Sequence, residues 1–130
     1  MIFTLECQFV GVSLKSYNAI TLMKWTVETL NAIVDAELEA LPADMRARFV
    51  HISRLIEEFG LERVHEPHVK HVRGSLWEMR LTGRAGISRA LYVTAVARRV
   101  VVVRVFVKKT QSTPNREIEL ALKRAKEIRQ

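Results

Sequence analysis

The sequence has little of what disulfide-linked, zinc-binding or membrane-spanning proteins need. It contains one cysteine, Cys7, which excludes an intrachain disulfide and any zinc site built from two or more thiolates. Its longest apolar runs, such as Val100 to Val103, are far shorter than the roughly 20 residues of a membrane-spanning helix. We therefore expect a soluble, cytoplasmic protein of a reducing compartment that does not associate with a membrane.

Positive charge is abundant and unevenly distributed. The chain has 130 residues, which suits one domain, and a net charge of +7. Residues 1–60 contain 5 Lys and Arg against 8 Asp and Glu, whereas residues 61–130 contain 16 against 6. The second half is therefore expected to provide a surface that binds a polyanion.

The first residues do not look like a secretion signal. Residues 1–22 lack a basic start and a clear small-residue cleavage site, both of which a signal peptide needs. A second interpretation is that translation starts at Met23. We predict a leader of uncertain role over residues 1–22 and a single domain over residues 23–130.

Apolar residues at intervals of three and four predict two helices, the first ending at Pro42 and the second at Gly60. In the second helix, Glu57 is expected to face water. The predicted buried stripes are Leu30, Ile33, Val34, Leu38 and Leu41 in the first helix, and Met45, Phe49, Ile52, Leu55, Ile56 and Phe59 in the second. The two helices predict an antiparallel hairpin whose apolar side needs a sheet to cover it.

The period then changes to two, which is typical of strands. Trp77, Met79 and Leu81 are expected to face the helices, with Glu78 and Arg80 on the opposite side. A turn between Gly83 and Gly86, a returning strand from about residue 87 to 96, a turn at Arg98-Arg99 and an apolar strand over residues 100–107 follow.

A last helix is predicted from Pro114, with Thr113 as its N-cap. The fold class is therefore α+β. We predict an antiparallel, twisted sheet of three to five strands, with an N-terminal helical hairpin and a C-terminal helix, and with one face of the sheet partly open.

Three segments together resemble a known family. Residues 72–80 (VRGSLWEMR), 88–92 (SRALY) and 105–114 (VFVKKTQSTP) resemble the phage-derived, HigB-like branch of the RelE/ParE toxins. The resemblance covers about residues 24–128. It implies a RelE-like toxin of a type II toxin-antitoxin system, an mRNA endoribonuclease that acts on the ribosome and is inhibited by a HigA-like helix-turn-helix antitoxin.

The chemistry that the resemblance implies is attack of a ribose 2′-OH on the adjacent phosphate, with no metal and no cofactor. Arg89 is the first candidate to stabilise the phosphate, because a guanidinium donates two parallel hydrogen bonds, and Arg80 is the second. Lys108 and Lys70 are candidates for acid/base transfer or for binding the backbone. Glu78 is expected to act as a base or to orient Arg80.

A further set is expected to contact RNA: Lys109, Arg73, Arg104, Phe106 and Tyr92. Two positions depart from the family pattern. Ser88 stands where an aromatic residue usually precedes the strand arginine, and no Tyr or His follows the last helix. Tyr92 and Phe106 are then the nearest aromatic candidates for base stacking.

Several of these candidate residues also have interpretations that involve no catalytic or binding function. Glu78 and Arg80 could form an ordinary surface ion pair, and Trp77 could simply belong to the core. His65, His68 and His71 have a metal-like spacing, but Pro67 argues against a helix there and no further ligand completes the set, so no metal site is predicted.

Two other functions stay open. One is a ParE-like toxin that poisons a topoisomerase by protein contact and cuts no RNA. The other is a non-catalytic nucleic-acid-binding phage accessory protein, which would bind RNA in a salt-sensitive way without cleaving it.

Overall fold

The computed structural model of the chain describes residues 2–3, 24–109 and 111–128. The predicted leader, apart from residues 2–3, and the alternative start at Met23 lie outside these residues. The elements follow one another in this order: β1 (Ile2–Phe3), β2 (Thr26–Thr29), α1 (Ala32–Glu39), α2 (Ala43–Phe59), a 3-10 helix (Leu61–Arg63), β3 (Val69–Arg73), β4 (Leu76–Gly83), β5 (Gly86–Ala95), β6 (Arg99–Lys108) and α3 (Asn115–Ala125).

The strands form one mixed sheet in the order β1-β2-β6-β5-β4-β3. The α+β class, the helical hairpin and the C-terminal helix are confirmed. One prediction was wrong, because β2 pairs with β6 in parallel, with Thr26 opposite Arg99, while the other neighbours are antiparallel. Parallel neighbours need a long crossover, and here that crossover contains the hairpin and three strands, which local periodicity cannot reveal.

Helices α1 and α2 cover one side of the sheet, which we call the hairpin face. Its core is apolar, and the buried residues from the sheet are Val27, Val69, Met79, Leu81, Ala90, Tyr92, Val100, Val102 and Val105. The helices contribute Val34, Leu38, Met45, Phe49, Ile52 and Ile56. Ile33 and Phe59, predicted in the buried stripes, are instead 59% and 54% exposed.

Glu57 corrects another prediction, because it is buried and does not face water. Its Oε2 accepts a hydrogen bond from the backbone N–H of Val27 at 3.1 Å. Burial raises the pKa of this carboxyl, and the hydrogen bond opposes the change. Glu57 thus links α2 to β2.

Helix α3 packs against the opposite side, which we call the C-terminal face. Its Ile118 and Ala121 bury against an apolar patch of the sheet, so this face is covered in part, as predicted. The N-cap is Pro114, without a side-chain capping bond. The prediction that Thr113 caps the helix was therefore wrong.

Both predicted turns are present. Gly86 has φ +139°, a conformation that other residues rarely adopt, which suits the β4–β5 turn. The β5–β6 turn contains the three residues between Ala95 and Arg99, so Arg99, predicted in this turn, already belongs to β6. In the turn Ala97 and Arg98 adopt φ of 64° and 54°. No helix among the described residues is long and apolar enough to span a membrane.

Candidate active site

The strand register brings three predicted cations to the C-terminal face. Arg80 on β4 lies opposite Arg89 on β5, and Arg89 lies opposite Phe106 on β6. Residues directly opposite on antiparallel strands point to the same face. Lys108 lies two residues beyond Phe106, opposite Ile87, so it shares this face as well.

The edge strand β3 adds a fourth cation. Lys70 lies opposite Glu78, and its charge reaches Lys108. Burial lowers the pKa of Lys108, and the positive charges of Arg89, Arg80 and Lys70 lower it further, in that order. We call Lys70, Glu78, Arg80, Arg89 and Lys108 the cation-rich cluster, because four cations surround one carboxylate.

A buried ion pair lies at the base of this cluster. Arg89 Nη1 contacts Glu78 Oε2, and both side chains are almost fully enclosed, at 4% and 2% exposure. Burial lowers the pKa of Arg89. Because an ion pair without solvent is stable only when both partners are satisfied, Glu78 is committed to Arg89.

Thr113 completes the arrangement, and sequence reasoning missed its role. Its hydroxyl donates to Glu78 Oε1 at 2.8 Å and accepts from Arg89 Nη1 at 3.4 Å. The signal was present in the sequence, since Thr113 belongs to the Lys-Lys-Thr-Gln-Ser-Thr-Pro segment. A threonine directly before a helix-starting proline favours the capping interpretation, and a contact with β4 cannot be inferred locally.

The guanidinium groups of the cluster are not fully satisfied. The buried Nε atoms of Arg80 and Arg89 have no hydrogen-bond partner among the described residues. A buried donor without a partner costs about 1–3 kcal/mol. Unsatisfied groups of this kind are rare in folded proteins.

Three predicted RNA-contacting residues lie around the cluster. Lys109 is exposed just after β6, and Phe106 is 9% exposed on the same face. Arg73 is exposed at the end of β3, where its Nη2 donates to Asn115 Oδ1 at 2.9 Å, at the start of α3. Their roles stay predictions.

Arg104 takes part in a different set of contacts. Its Nε and Nη2 donate to the two carboxylate oxygens of Glu117 at 2.6 and 3.2 Å, and its Nη1 donates to Glu37 at 2.7 Å. Arg124 also donates to Glu37, at 3.1 Å. We call Glu37, Arg104, Glu117 and Arg124 the balanced cluster, because two guanidiniums meet two carboxylates.

Tyr92 lies in the hairpin-face core at 1% exposure. Burial strongly raises the pKa of its hydroxyl. The sheet separates it from the cation-rich cluster, so the structure does not bring Tyr92 together with the other candidates.

The histidines do not form a metal site among the described residues, where no group of three or more His, Cys, Asp or Glu side chains could hold an ion. His65 and His68 lie in the loop after the 3-10 helix, and His71 lies on β3.

A family model described as phage derived protein Gp49-like matches residues 36–126. The chain belongs to the Gp49-like family. The match to this Gp49-like model runs from α1 to the end of α3, so it contains every residue of both clusters. A search of curated proteins finds no match.

Among solved structures, the chain is similar to one from the archaeal RelE-RelB complex of Pyrococcus horikoshii OT3. The two share 21% identity over 65% of this chain and 96% of the other, with a TM-score of 0.46.

Proposed function

We propose that the protein is the toxin of a toxin-antitoxin system and that it cleaves mRNA on the ribosome without a metal. The single observation that carries the proposal is the excess of charge at the cation-rich cluster, where four cations share one buried carboxylate. Such a surface attracts a polyanion and stabilises the negative charge that develops when a phosphodiester is attacked. The sequence resemblance to HigB-like toxins, with its Lys-Lys-Thr-Gln segment, supports the same proposal.

The proposed reaction is an internal transfer. The ribose 2′-OH loses its proton and attacks the adjacent phosphorus, the bond to the 5′-oxygen breaks, and that oxygen takes up a proton. The products are a 2′,3′-cyclic phosphate and a 5′-hydroxyl. The protein must supply a proton acceptor, a proton donor and cations for the phosphorane.

Lys108 suits the proton transfer, because burial and three neighbouring cations lower its pKa. A lowered pKa makes the ammonium a stronger acid, which favours donation of a proton to the leaving 5′-oxygen. Arg80 is half-buried, so its guanidinium is partly accessible to a phosphate. In this proposal Arg80 binds the phosphorane oxygens, and Lys70, on the edge strand β3, binds the RNA backbone.

Arg89 and Glu78 receive a supporting role in this proposal. Their ion pair is enclosed, and Thr113 holds Glu78 from the other side. Glu78 therefore acts as the partner that orients Arg89, not as the base, and Arg89 places its charge beneath the scissile phosphate. Lys109, Arg73 and Phe106 flank the RNA. Tyr92 and Arg104 have no role in the proposed reaction, because Tyr92 is buried in the hairpin-face core and Arg104 donates to Glu117 and Glu37.

The proposal includes partners. A toxin with net charge +7 is drawn to ribosomal RNA as well as to mRNA. Its inhibitor is proposed to be a HigA-like helix-turn-helix antitoxin in the cytoplasm, which would have to cover or neutralise the cation-rich cluster to suppress activity.

The test is controlled expression in a bacterial host, with mapping of mRNA 5′ ends. The native chain should generate new 5′ ends within coding regions. Lys108→Ala should reduce their number by about 10²-fold or more, as loss of acid/base catalysis does. Arg48→Ala removes one exposed cation from α2 on the opposite side of the sheet and should cleave like the native chain.

Two results would reject the proposal. Growth arrest with unchanged transcripts would indicate a toxin that acts by protein contact, as ParE does. Salt-sensitive RNA binding by the purified chain, with no cleavage on ribosomes, would indicate a non-catalytic binding protein. A urea unfolding curve for each variant separates loss of activity from loss of folding.

A further inference from the structure

An open groove lies on the hairpin face, beyond the part that α1 and α2 cover. It has a volume of about 800 Å³ and lies between the 3-10 helix and strands β3, β4 and β5; Trp77 and Tyr92 are among its lining residues. Trp77 was expected to face the helices, yet 39% of it is exposed. The helical cover ends before it reaches this tryptophan.

The tryptophan is held in position. Trp77 lies opposite His71 on β3 and opposite Tyr92 on β5. The rings of His71 and Trp77 meet edge to face, with centroids 5.1 Å apart. An indole fixed by neighbours on both strands and open to solvent on one side presents a ready surface for stacking.

The groove combines the groups that bind a nucleobase. Its volume falls in the range of small-molecule sites, and Trp77 provides a flat aromatic surface on which a base can stack. Glu62 and Glu66 also line it, and a carboxylate accepts hydrogen bonds from the exocyclic amino group of a base. Uracil has no such amino group and offers a carboxylate only its ring N3–H, which is flanked by two carbonyl oxygens that the carboxylates would repel.

Lys70 connects the groove with the cation-rich cluster. It lines the groove, and its charge also acts on Lys108. Because Lys70 lies on the edge strand β3, an RNA chain held at the cluster can pass around this edge. The next base then reaches Trp77 while Lys70 contacts the intervening phosphate.

We propose that this groove binds one base of the RNA strand, and that the base carries an exocyclic amino group. The inference rests on the proposed function for the identity of the strand. It adds a base-specific subsite on the opposite face of the sheet from the reacting phosphate.

The test uses the fluorescence of Trp77 in the purified full chain. Trp25→Phe removes the other tryptophan, so that the signal reports on Trp77 alone. The probes are 2′-O-methyl trinucleotides of G, A, C or U, which lack the attacking hydroxyl and cannot be cleaved. We expect quenching by the G, A and C probes, at concentrations about tenfold lower than for the U probe.

Glu66→Gln and Glu62→Gln should reduce the difference in quenching concentration between the U probe and the other three probes, because an amide can also donate to the carbonyl of uracil. Glu58→Gln is the matched control, since Glu58 is exposed on α2 and does not line the groove. Equal quenching by all four probes, or none, would overturn the inference.

The two proposals can fail separately. If quenching depends on base identity but the chain cleaves no mRNA, base binding in the groove is supported and the proposed ribonuclease activity is rejected. If the native chain and Trp77→Ala cleave mRNA with the same sequence preference, the ribonuclease activity is supported and base binding in the groove is rejected.

Discussion

The C-terminal face of the sheet contains two charged clusters that differ in how their charges are compensated. In the balanced cluster, Arg104 and Arg124 meet Glu37 and Glu117 through short hydrogen bonds. In the cation-rich cluster, four cations lie near Glu78, and within the part of the chain that the structure describes only Glu78 forms an ion pair with one of them. The first can be explained by folding, whereas the second leaves an excess of positive charge that folding does not require.

The balanced cluster also satisfies backbone groups. Strand β6 extends beyond the end of its pairing with β2, which leaves part of its edge open. Glu37 accepts from the N–H of Val105 at 3.0 Å, and Arg124 donates to the C=O of Val103 at 3.0 Å. Buried backbone groups need partners, so these side chains replace a neighbouring strand. We conclude that compensated charge marks structure here and uncompensated charge marks the candidate site.

The largest expected effect comes from removing one carboxylate from each cluster. Glu78→Gln leaves the enclosed Arg89 without a counter-ion and should lower the free energy of unfolding by about 3–5 kcal/mol. Glu37→Gln should cost only about 1 kcal/mol, because Arg104 keeps its two contacts with Glu117. Urea denaturation measures both, and equal losses would show that the two clusters do not differ as described.

Thr113 offers a smaller and sharper test of the cation-rich cluster. Thr113→Val keeps the shape but removes the donor to Glu78, and should cost about 1–2 kcal/mol. Thr113→Ser restores the hydroxyl and should recover most of that loss. If serine and valine behave alike in urea denaturation, the hydroxyl does not hold Glu78.

The smallest effect concerns the charge of Lys108, which is disfavoured first by burial and then by repulsion from Arg89, Arg80 and Lys70. A folded-state pKa of Lys108 below its ordinary value means that protonated Lys108 destabilises the native state. Lys108→Gln should therefore stabilise the protein at neutral pH, by less than about 1 kcal/mol at low salt, and added salt should reduce the gain.

The sign of the pH dependence follows from the same pKa change. Between the folded-state pKa and the ordinary value of 10.5, the unfolded chain binds more protons, so native stability rises with pH. Melting temperatures of the native chain and Lys108→Gln should thus converge as the pH approaches that value. A constant difference would argue against a repulsive cluster.

Much of the fold could be predicted from periodicity, because alternation on β4 indicates which residues share a face. That reasoning placed Arg80 with Glu78. It could not indicate which distant carboxylate compensates which cation. Arg104 was expected to contact RNA, but its guanidinium pairs with Glu37 and Glu117.

Other differences between the predicted and the observed structure also arise from contacts between distant parts of the chain. Strand β3 was not predicted, because the segment mixes histidine, lysine and valine without a clear alternation. The exposure of Trp77 depends on where α2 ends relative to β4, and the contact of Thr113 with Glu78 depends on how α3 docks. These are properties of packing between elements, and no single segment encodes them.

The parallel pairing of β2 with β6 also affects the order in which the protein can be built. Strand β2 meets its parallel partner only at Arg99, so this pairing must wait until β6 has left the ribosome. Contacts between distant parts of a chain form slowly. Because β6 also carries Lys108, a nascent fragment that stops before β6 would lack this member of the cation-rich cluster.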